Sequence, residues 1–91
     1  MADKGDQARE LQLVRQIVSQ VSRIELSELR PDVLIREELG IDSLMAMEIV
    51  ATCELQLGVR IDEGRLYEVQ TVGDFESLVL GLLREQPEPH G

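Results

Sequence analysis

The chain has 91 residues and a formal net charge of −9, so it is small and acidic. A chain of this length has room for one domain and one hydrophobic core. Hydrophobic residues make up 43% of the sequence but aromatic residues only 2%, so the core must be built from aliphatic side chains, which favours packed helices over a sheet. The excess of acids repels phosphate backbones and anionic lipids, which argues against nucleic acid and membranes as partners. A protein partner with a basic patch is favoured instead, although on composition alone the simpler role of the charge is to maintain solubility.

One cysteine, Cys53, and one histidine, His90, limit the chemistry that the chain can support. A single thiol forms no internal disulfide, and without a Cys/His cluster there is no ordinary zinc site. No stretch resembles a signal peptide, and no apolar run approaches the roughly 18 residues of a membrane span. We therefore expect a cytoplasmic protein.

The first predicted element is an amphipathic helix from Gln7 to Ser22. Its apolar residues recur at the spacing of one helix face: Leu11, Val14, Ile17, Val18 and Val21. Residues 1–6 before it and residues 86–91 at the other end are polar or proline-rich and are predicted to be disordered, which leaves residues 7–85 as the folded domain.

A long connection follows, from Arg23 to Ile41, in which Pro31 prevents a continuous helix. Connections of this length are uncommon in compact domains and usually indicate function or disorder. The apolar residues within this one predict that it packs over the core, with a short helical turn around residues 35–39.

A second helix is predicted from Ser43 to Leu57, because Asp42 can cap its start and Gly58 can end it. A short helical turn is expected at residues 63–68. The last helix should begin behind Thr71, whose spacing from Asp74 resembles a capping arrangement, and end near residue 84. Together these elements predict an all-α fold, a small four-helix bundle of three main helices and a short third one.

The second helix carries two apolar stripes when its residues are placed on a helical wheel. A module this small can bury only one stripe completely, so the other is either an exposed docking surface or covered by neighbouring helices, and periodicity alone favours neither. One stripe consists of Ala46, Ile49, Val50, Cys53 and Leu57, and the opposite one of Leu44, Met47, Ala51 and Leu55, interrupted by Glu48. Met45 and Met47 slightly favour docking, since flexible thioethers adapt to several surfaces.

Ser43 lies in the first turn of this helix, on the border between the two stripes. Unpaired backbone amides and the positive end of the helix dipole favour an anion there, so a phosphodiester on the Ser43 oxygen would be well placed. A serine in this position is ordinarily a simple helix cap, but Asp42 is already available for that role.

Residues 39–45, Leu-Gly-Ile-Asp-Ser-Leu-Met, resemble the phosphopantetheine attachment motif of acyl carrier proteins, whose centre is Asp-Ser-Leu. The similarity continues through residues 59–62 and 71–74 and covers roughly residues 8–84. It implies a carrier fold in which Ser43 accepts 4′-phosphopantetheine from coenzyme A by the action of a phosphopantetheinyl transferase. The terminal thiol of that arm would hold acyl groups as thioesters, whereas Cys53 lies on the core stripe and is not the working thiol.

The resemblance further implies that the second helix meets the transferase and then a ketosynthase, an acyltransferase or another acyl-processing enzyme. The implied partner-binding residues are Asp42, Leu44, Met45, Met47, Glu48, Ala51 and Leu55. Fatty-acid carriers usually have several acids along this helix, so its apolar character favours a specialised pathway such as polyketide assembly. We expect a monomer with no catalytic residue and no metal.

Three other functions compete with this interpretation. A serine hydrolase would need a base for Ser43, and the only histidine, His90, lies in the proline-rich tail. A peptidyl or aminoacyl carrier more often has a second glycine where Ile41 stands. An unmodified acidic interaction module accounts for the charge and the two stripes, but it gives no reason for Ser43 in this context.

Overall fold

The computed structural model describes residues 4–85, with side chains from Gln7 to Arg84. Its elements in chain order are α1 (Lys4–Ser22), one turn of 3₁₀ helix (Leu26–Glu28), α2 (Ser43–Leu57), α3 (Glu63–Leu66) and α4 (Val72–Glu85). The predicted all-α bundle of three main helices and a short third one is therefore confirmed. No helix between residues 4 and 85 is long and apolar enough to cross a membrane.

The bounds of α2 agree with the prediction, and α4 ends one residue beyond it, at Glu85. By contrast, α1 begins at Lys4, three residues before its predicted start. The helical part of the third element is shorter than predicted, because after Leu66 the chain continues in a tight turn in which the Glu68 amide donates to the Arg65 carbonyl at 3.1 Å. Of the residues predicted to be disordered, 1–6 and 86–91, residues 4–6 belong to α1, and residues 1–3 and 86–91 lie outside the described residues.

The long connection packs over the core, as predicted. It contains a 3₁₀ turn at Leu26–Glu28 that was not predicted from the sequence. Residues 35–39 form a hydrogen-bonded turn in which the Glu38 amide donates to the Leu34 carbonyl at 3.0 Å, but this turn does not extend into a helix. The buried side chains of the connection are Leu29, Val33 and Ile41.

The hydrophobic core lies where α1 packs against α2 and α4. The predicted helix stripes supply most of it, as expected from their periodicity. The buried hydrophobic side chains of the three main helices are Val14, Ile17 and Val18 from α1, Ile49, Val50 and Cys53 from α2, and Val72, Phe75 and Val79 from α4.

An ion pair joins α1 to α4 at the edge of this core. The Arg15 Nε donates to Glu76 Oε2 at 2.5 Å, and the Glu76 side chain is only 6% exposed. The hydrogen bond to Glu76 raises the pKa of Arg15 further above its already high ordinary value, so the guanidinium remains charged. A buried carboxylate with this partner fixes the relative position of the two helices, since separating them would leave its charge unpaired.

Three backbone hydrogen bonds tie the long connection to the start of α4. The amides of Val72 and Gly73 donate to the carbonyls of Val33 and Pro31 at 3.0 and 2.9 Å. In the opposite direction, the Ile35 amide donates to the carbonyl of residue 70 at 2.9 Å. This clasp, residues 31–35 against residues 70–73, holds the connection beside the beginning of α2.

Candidate functional site

The start of α2 is capped by Asp42 and not by the serine that follows. Asp42 has extended backbone angles, and its Oδ1 accepts a hydrogen bond from the Met45 amide at 2.9 Å, as the sequence predicts. Before it, Gly40 has a φ of +69°, the left-handed conformation that glycine adopts most easily. This turn and cap set the position of Ser43 as the first helical residue.

The Ser43 side chain is exposed and, within residues 4–85, its hydroxyl makes no hydrogen bond. The amides of Ser43 and Leu44 likewise have no acceptor in the described part of the chain, because the Asp42 side chain and carbonyl serve Met45 and Ala46. Two free amides at the positive end of a helix favour an anion. The residues present therefore fit a phosphodiester on the Ser43 oxygen.

A cavity of about 470 Å³ opens beside Ser43, within the size range of small-molecule sites. It lies between the long connection, the core face of α2 and the short α3. Its exposed lining consists of the polar residues Ser43, Arg36, Glu37, Glu63 and Gln70 together with Met47 and Tyr67, whereas its interior is apolar. The interior is lined by Val18, Ile35, Ile41, Ala46, Ile49, Val50, Leu66, Val69 and Phe75.

This cavity was not predicted from the sequence. The helical periodicity predicts the apolar residues that line it, but as part of the core and not as the wall of an open space. The space remains open because α3 has only four residues and covers α2 incompletely. A one-turn helix after a long connection was the available sequence signal, but its meaning depends on the packing of distant segments.

The structure decides between the two arrangements considered for α2. The stripe of Ile49, Val50 and Cys53 is buried, while on the opposite side Leu44 is 73%, Met47 51% and Leu55 85% exposed. We call this opposite side the outer face of α2, and it consists of Leu44, Met47, Glu48, Ala51 and Leu55. An apolar face of this kind on a small domain is typical of a protein-docking surface.

Six of the seven predicted partner-binding residues are exposed, and five of them form the outer face of α2. Asp42 lies at its N-terminal end, beside Ser43. Met45 differs, because its side chain is half-buried and packs against the core. The structure thus brings the predicted residues together around Ser43, with Met45 turned partly inward.

Cys53 is fully buried in the core stripe of α2. Burial, together with the nearby Glu54 carboxylate, raises the pKa of its thiol to about 12. A thiol held neutral in this way is a poor nucleophile. Among the described residues, no group of three or more His, Cys, Asp or Glu side chains could hold a metal ion, and His90 lies outside them.

Comparison with known proteins identifies the family. A family model described as the phosphopantetheine attachment site matches residues 12–79. The meromycolate extension acyl carrier protein of Mycobacterium tuberculosis is 36% identical over 75 residues, which cover 82% of this chain and 65% of that protein. This chain thus spans less than two thirds of the length of that relative.

Two further relatives are matched over more of their length. The meromycolate extension acyl carrier protein of Mycolicibacterium smegmatis is 37% identical over 73 residues, which cover 80% of this chain and 74% of that protein. The acyl carrier protein of Saccharopolyspora erythraea is 30% identical over 70 residues, 77% of this chain and 74% of its own. With the matched region extending from α1 into α4, the chain belongs to the acyl carrier protein family, whose members carry covalently bound 4′-phosphopantetheine.

Proposed function

We propose that Ser43 carries the 4′-phosphopantetheine arm and that the chain presents acyl groups to synthase enzymes of a polyketide or fatty-acid pathway. The observation that carries this proposal is the Ser43 hydroxyl, which is exposed at the first residue of α2 and free of the capping role that Asp42 fills. The terminal thiol of the arm supplies the chemistry, since it holds acyl groups as thioesters.

Attachment requires a nucleophilic oxygen and a place for a phosphodiester. The Ser43 oxygen forms a bond to the pantetheine-bearing phosphorus of coenzyme A, the pyrophosphate bond breaks and adenosine bisphosphate leaves. The serine proton passes to a base of the phosphopantetheinyl transferase. The free amides of Ser43 and Leu44 and the positive end of the helix dipole would then stabilise the charge of the phosphodiester.

The cavity beside Ser43 offers the acyl chain an apolar environment. Ser43 is one of the exposed residues that line it, so the start of an acyl chain can turn back from the arm into the space between α2 and α3. Burial of each methylene group contributes about 0.8 kcal/mol. The cavity would therefore hold apolar chains while the arm is between partner enzymes.

The outer face of α2 is the proposed docking surface for the transferase, ketosynthases and acyltransferases. The only acid on this face is Glu48. The carboxylate of the other acid of the helix, Glu54, accepts a hydrogen bond from the Ile61 amide at 2.9 Å. The net charge of −9 steers encounter with basic partners, whereas the exposed Leu44, Met47 and Leu55 provide apolar contact area.

Two considerations bear on the pathway and its location. An apolar docking face favours a specialised synthase such as a polyketide synthase, while the relatives named for meromycolate extension favour a synthase that extends acyl chains. Both are consistent with a carrier of growing chains. A reduced Cys53 and a coenzyme A-dependent transferase favour the cytoplasm.

Intact-protein mass spectrometry after incubation with coenzyme A and a promiscuous phosphopantetheinyl transferase tests the proposal. We expect one added arm on the wild type, none on Ser43→Ala, and one on Ser77→Ala, which removes an exposed serine of α4 and serves as the matched control. No addition to the wild type would instead support an unmodified interaction module. The acyl species bound to protein from its native host would distinguish acyl from aminoacyl cargo.

A further inference from the structure

Tyr67 lies at the rim of the cavity, together with Ser43 and Met47. Its side chain is 85% exposed, and within residues 4–85 its hydroxyl makes no hydrogen bond. It is also the only tyrosine of a chain that contains no tryptophan. A large aromatic ring is thus held beside the opening with no partner in the described protein.

The backbone around Tyr67 is anchored although its side chain is not. Leu66 and Val69 on either side are half-buried and pack against the core. The Val69 amide donates to the Leu66 carbonyl at 3.1 Å, which closes a tight turn around Tyr67. The ring can therefore change its rotamer at the cavity opening without a movement of α3.

An apolar chain in the opening would cover the exposed ring of Tyr67. Aromatic side chains bury roughly 150–250 Å² when they are covered, which makes them dominant contributors at interfaces. Met47, half exposed on α2, lines the same opening and offers a flexible second contact. A chain that passes between these two side chains would be covered by both.

The charges at the rim bear on which cargo this arrangement accepts. The cavity is lined by one cation, Arg36, and two carboxylates, those of Glu37 and Glu63. An acyl group with a free carboxylate would meet this net negative rim and an apolar interior in which its charge has no partner. An uncharged alkyl chain meets neither obstacle.

We propose that Tyr67 folds over an acyl chain where the chain enters the cavity, and that this contact selects uncharged, extended alkyl cargo over short or carboxylated cargo. The inference rests on the proposed function, because cargo reaches this opening from an arm on Ser43. Tyr67 acts here through contact with the cargo and takes no part in its chemistry.

The sole tyrosine allows the contact to be measured directly. Apo protein is loaded by the transferase with coenzyme A or with its acetyl, malonyl, hexanoyl or dodecanoyl thioester, and each product is verified by intact mass. Quenching of tyrosine fluorescence by acrylamide is then compared. We expect several-fold weaker quenching in the hexanoyl and dodecanoyl forms, and quenching equal to the unacylated form for acetyl and malonyl cargo.

Variants separate the role of the ring from general effects of mutation. Tyr67→Ala should speed the cleavage of the dodecanoyl thioester by hydroxylamine several-fold and leave the acetyl thioester unchanged, whereas Tyr67→Phe should retain the protection. Leu26→Ala is the matched control, because Leu26 is an exposed hydrophobic residue that lies outside both this cavity and the outer face of α2.

The outcomes distinguish the two proposals. If no arm is added at Ser43, the proposed function fails and this inference fails with it. If the arm and the dodecanoyl chain are added but quenching is the same for every cargo, or Tyr67→Ala protects the thioester as well as the wild type does, the carrier function stands and the role of Tyr67 is refuted.

Discussion

Gly73 approaches Pro31 so closely that a methyl group has no room between them. A Cβ on Gly73 would lie 2.9 Å from the Pro31 carbonyl oxygen and 3.2 Å from its Cβ. The Gly73 amide donates to the same oxygen at 2.9 Å. This contact joins the long connection to the start of α4, and through Ile35 it supports one wall of the cavity.

Gly73→Ala should destabilise the domain by about 1–3 kcal/mol, because the methyl group must displace backbone atoms of Pro31. Gly81→Ala is the matched control within the same helix. A Cβ at Gly81 meets no atom within 4 Å, so alanine there should stabilise the protein by roughly 0.5–1 kcal/mol. Urea unfolding of both variants measures the difference, and equal stabilities would show that the Pro31 contact is not tight.

Aspartate substitutions on the two sides of α2 should have opposite consequences. Val50→Asp places an unpaired charge in the core and should unfold the domain, with loss of the helical circular dichroism signal. Leu55→Asp adds the same charge to the outer face and should leave that signal intact.

The rate of acyl transfer to a partner enzyme is a second measurement for the outer-face variant. Leu55→Asp should slow the transfer of acyl groups from the loaded carrier to a cognate ketosynthase, because apolar contact area is lost at the proposed docking surface. Loss of helical signal in this variant would mean that the outer face contributes to the fold, and unchanged transfer would mean that docking occurs elsewhere.

The cap of α4 should make stability dependent on acid pH. Asp74 Oδ2 accepts hydrogen bonds from the amides of Gln70 and Thr71 at 3.1 and 3.2 Å, and these bonds lower the pKa of the Asp74 carboxyl. Because the folded pKa is below the unfolded one, the stabilisation is present above the ordinary aspartate pKa of about 3.9 and is lost as the pH falls through the folded value.

Thermal unfolding of Asp74→Asn checks this sign. The variant should be less stable than the wild type near neutral pH, and the difference should shrink as the pH falls below about 4. Asp32→Asn is the control, since Asp32 is exposed and its carboxylate accepts no backbone hydrogen bond among the described residues. A stability difference for Asp74→Asn that stays constant with pH would contradict the assignment.

Cys53 should resist alkylation in the folded protein. Burial raises the pKa of its thiol to about 12, so at mildly alkaline pH the thiolate is scarce as well as inaccessible. Iodoacetamide should modify the apo protein slowly when native and rapidly in urea. After loading with coenzyme A, one additional thiol should react fast. Rapid alkylation of native apo protein would show that α2 opens readily from the core.

The elements that the sequence predicted well depend on neighbours within one helical turn. Asp42 and Gly58 bound α2 because a side-chain cap and a left-handed glycine act on adjacent backbone groups. Thr71 and Asp74 cap α4 reciprocally, the Asp74 amide donating to Thr71 Oγ1 at 3.0 Å. The helical periodicity of α1 likewise predicted its buried face without reference to any partner helix.

The features that give the site its shape depend on residues far apart in the chain. Arg15 pairs with Glu76 across 61 positions, the clasp joins the long connection to α4, and the cavity exists because a one-turn α3 leaves part of α2 uncovered. Local capping and periodicity thus determined the helices, their core stripes and the position of Ser43 at the start of α2. Only tertiary packing decided which side of α2 faces solvent and that a cavity remains beside Ser43, because both depend on how the helices are arranged around one another.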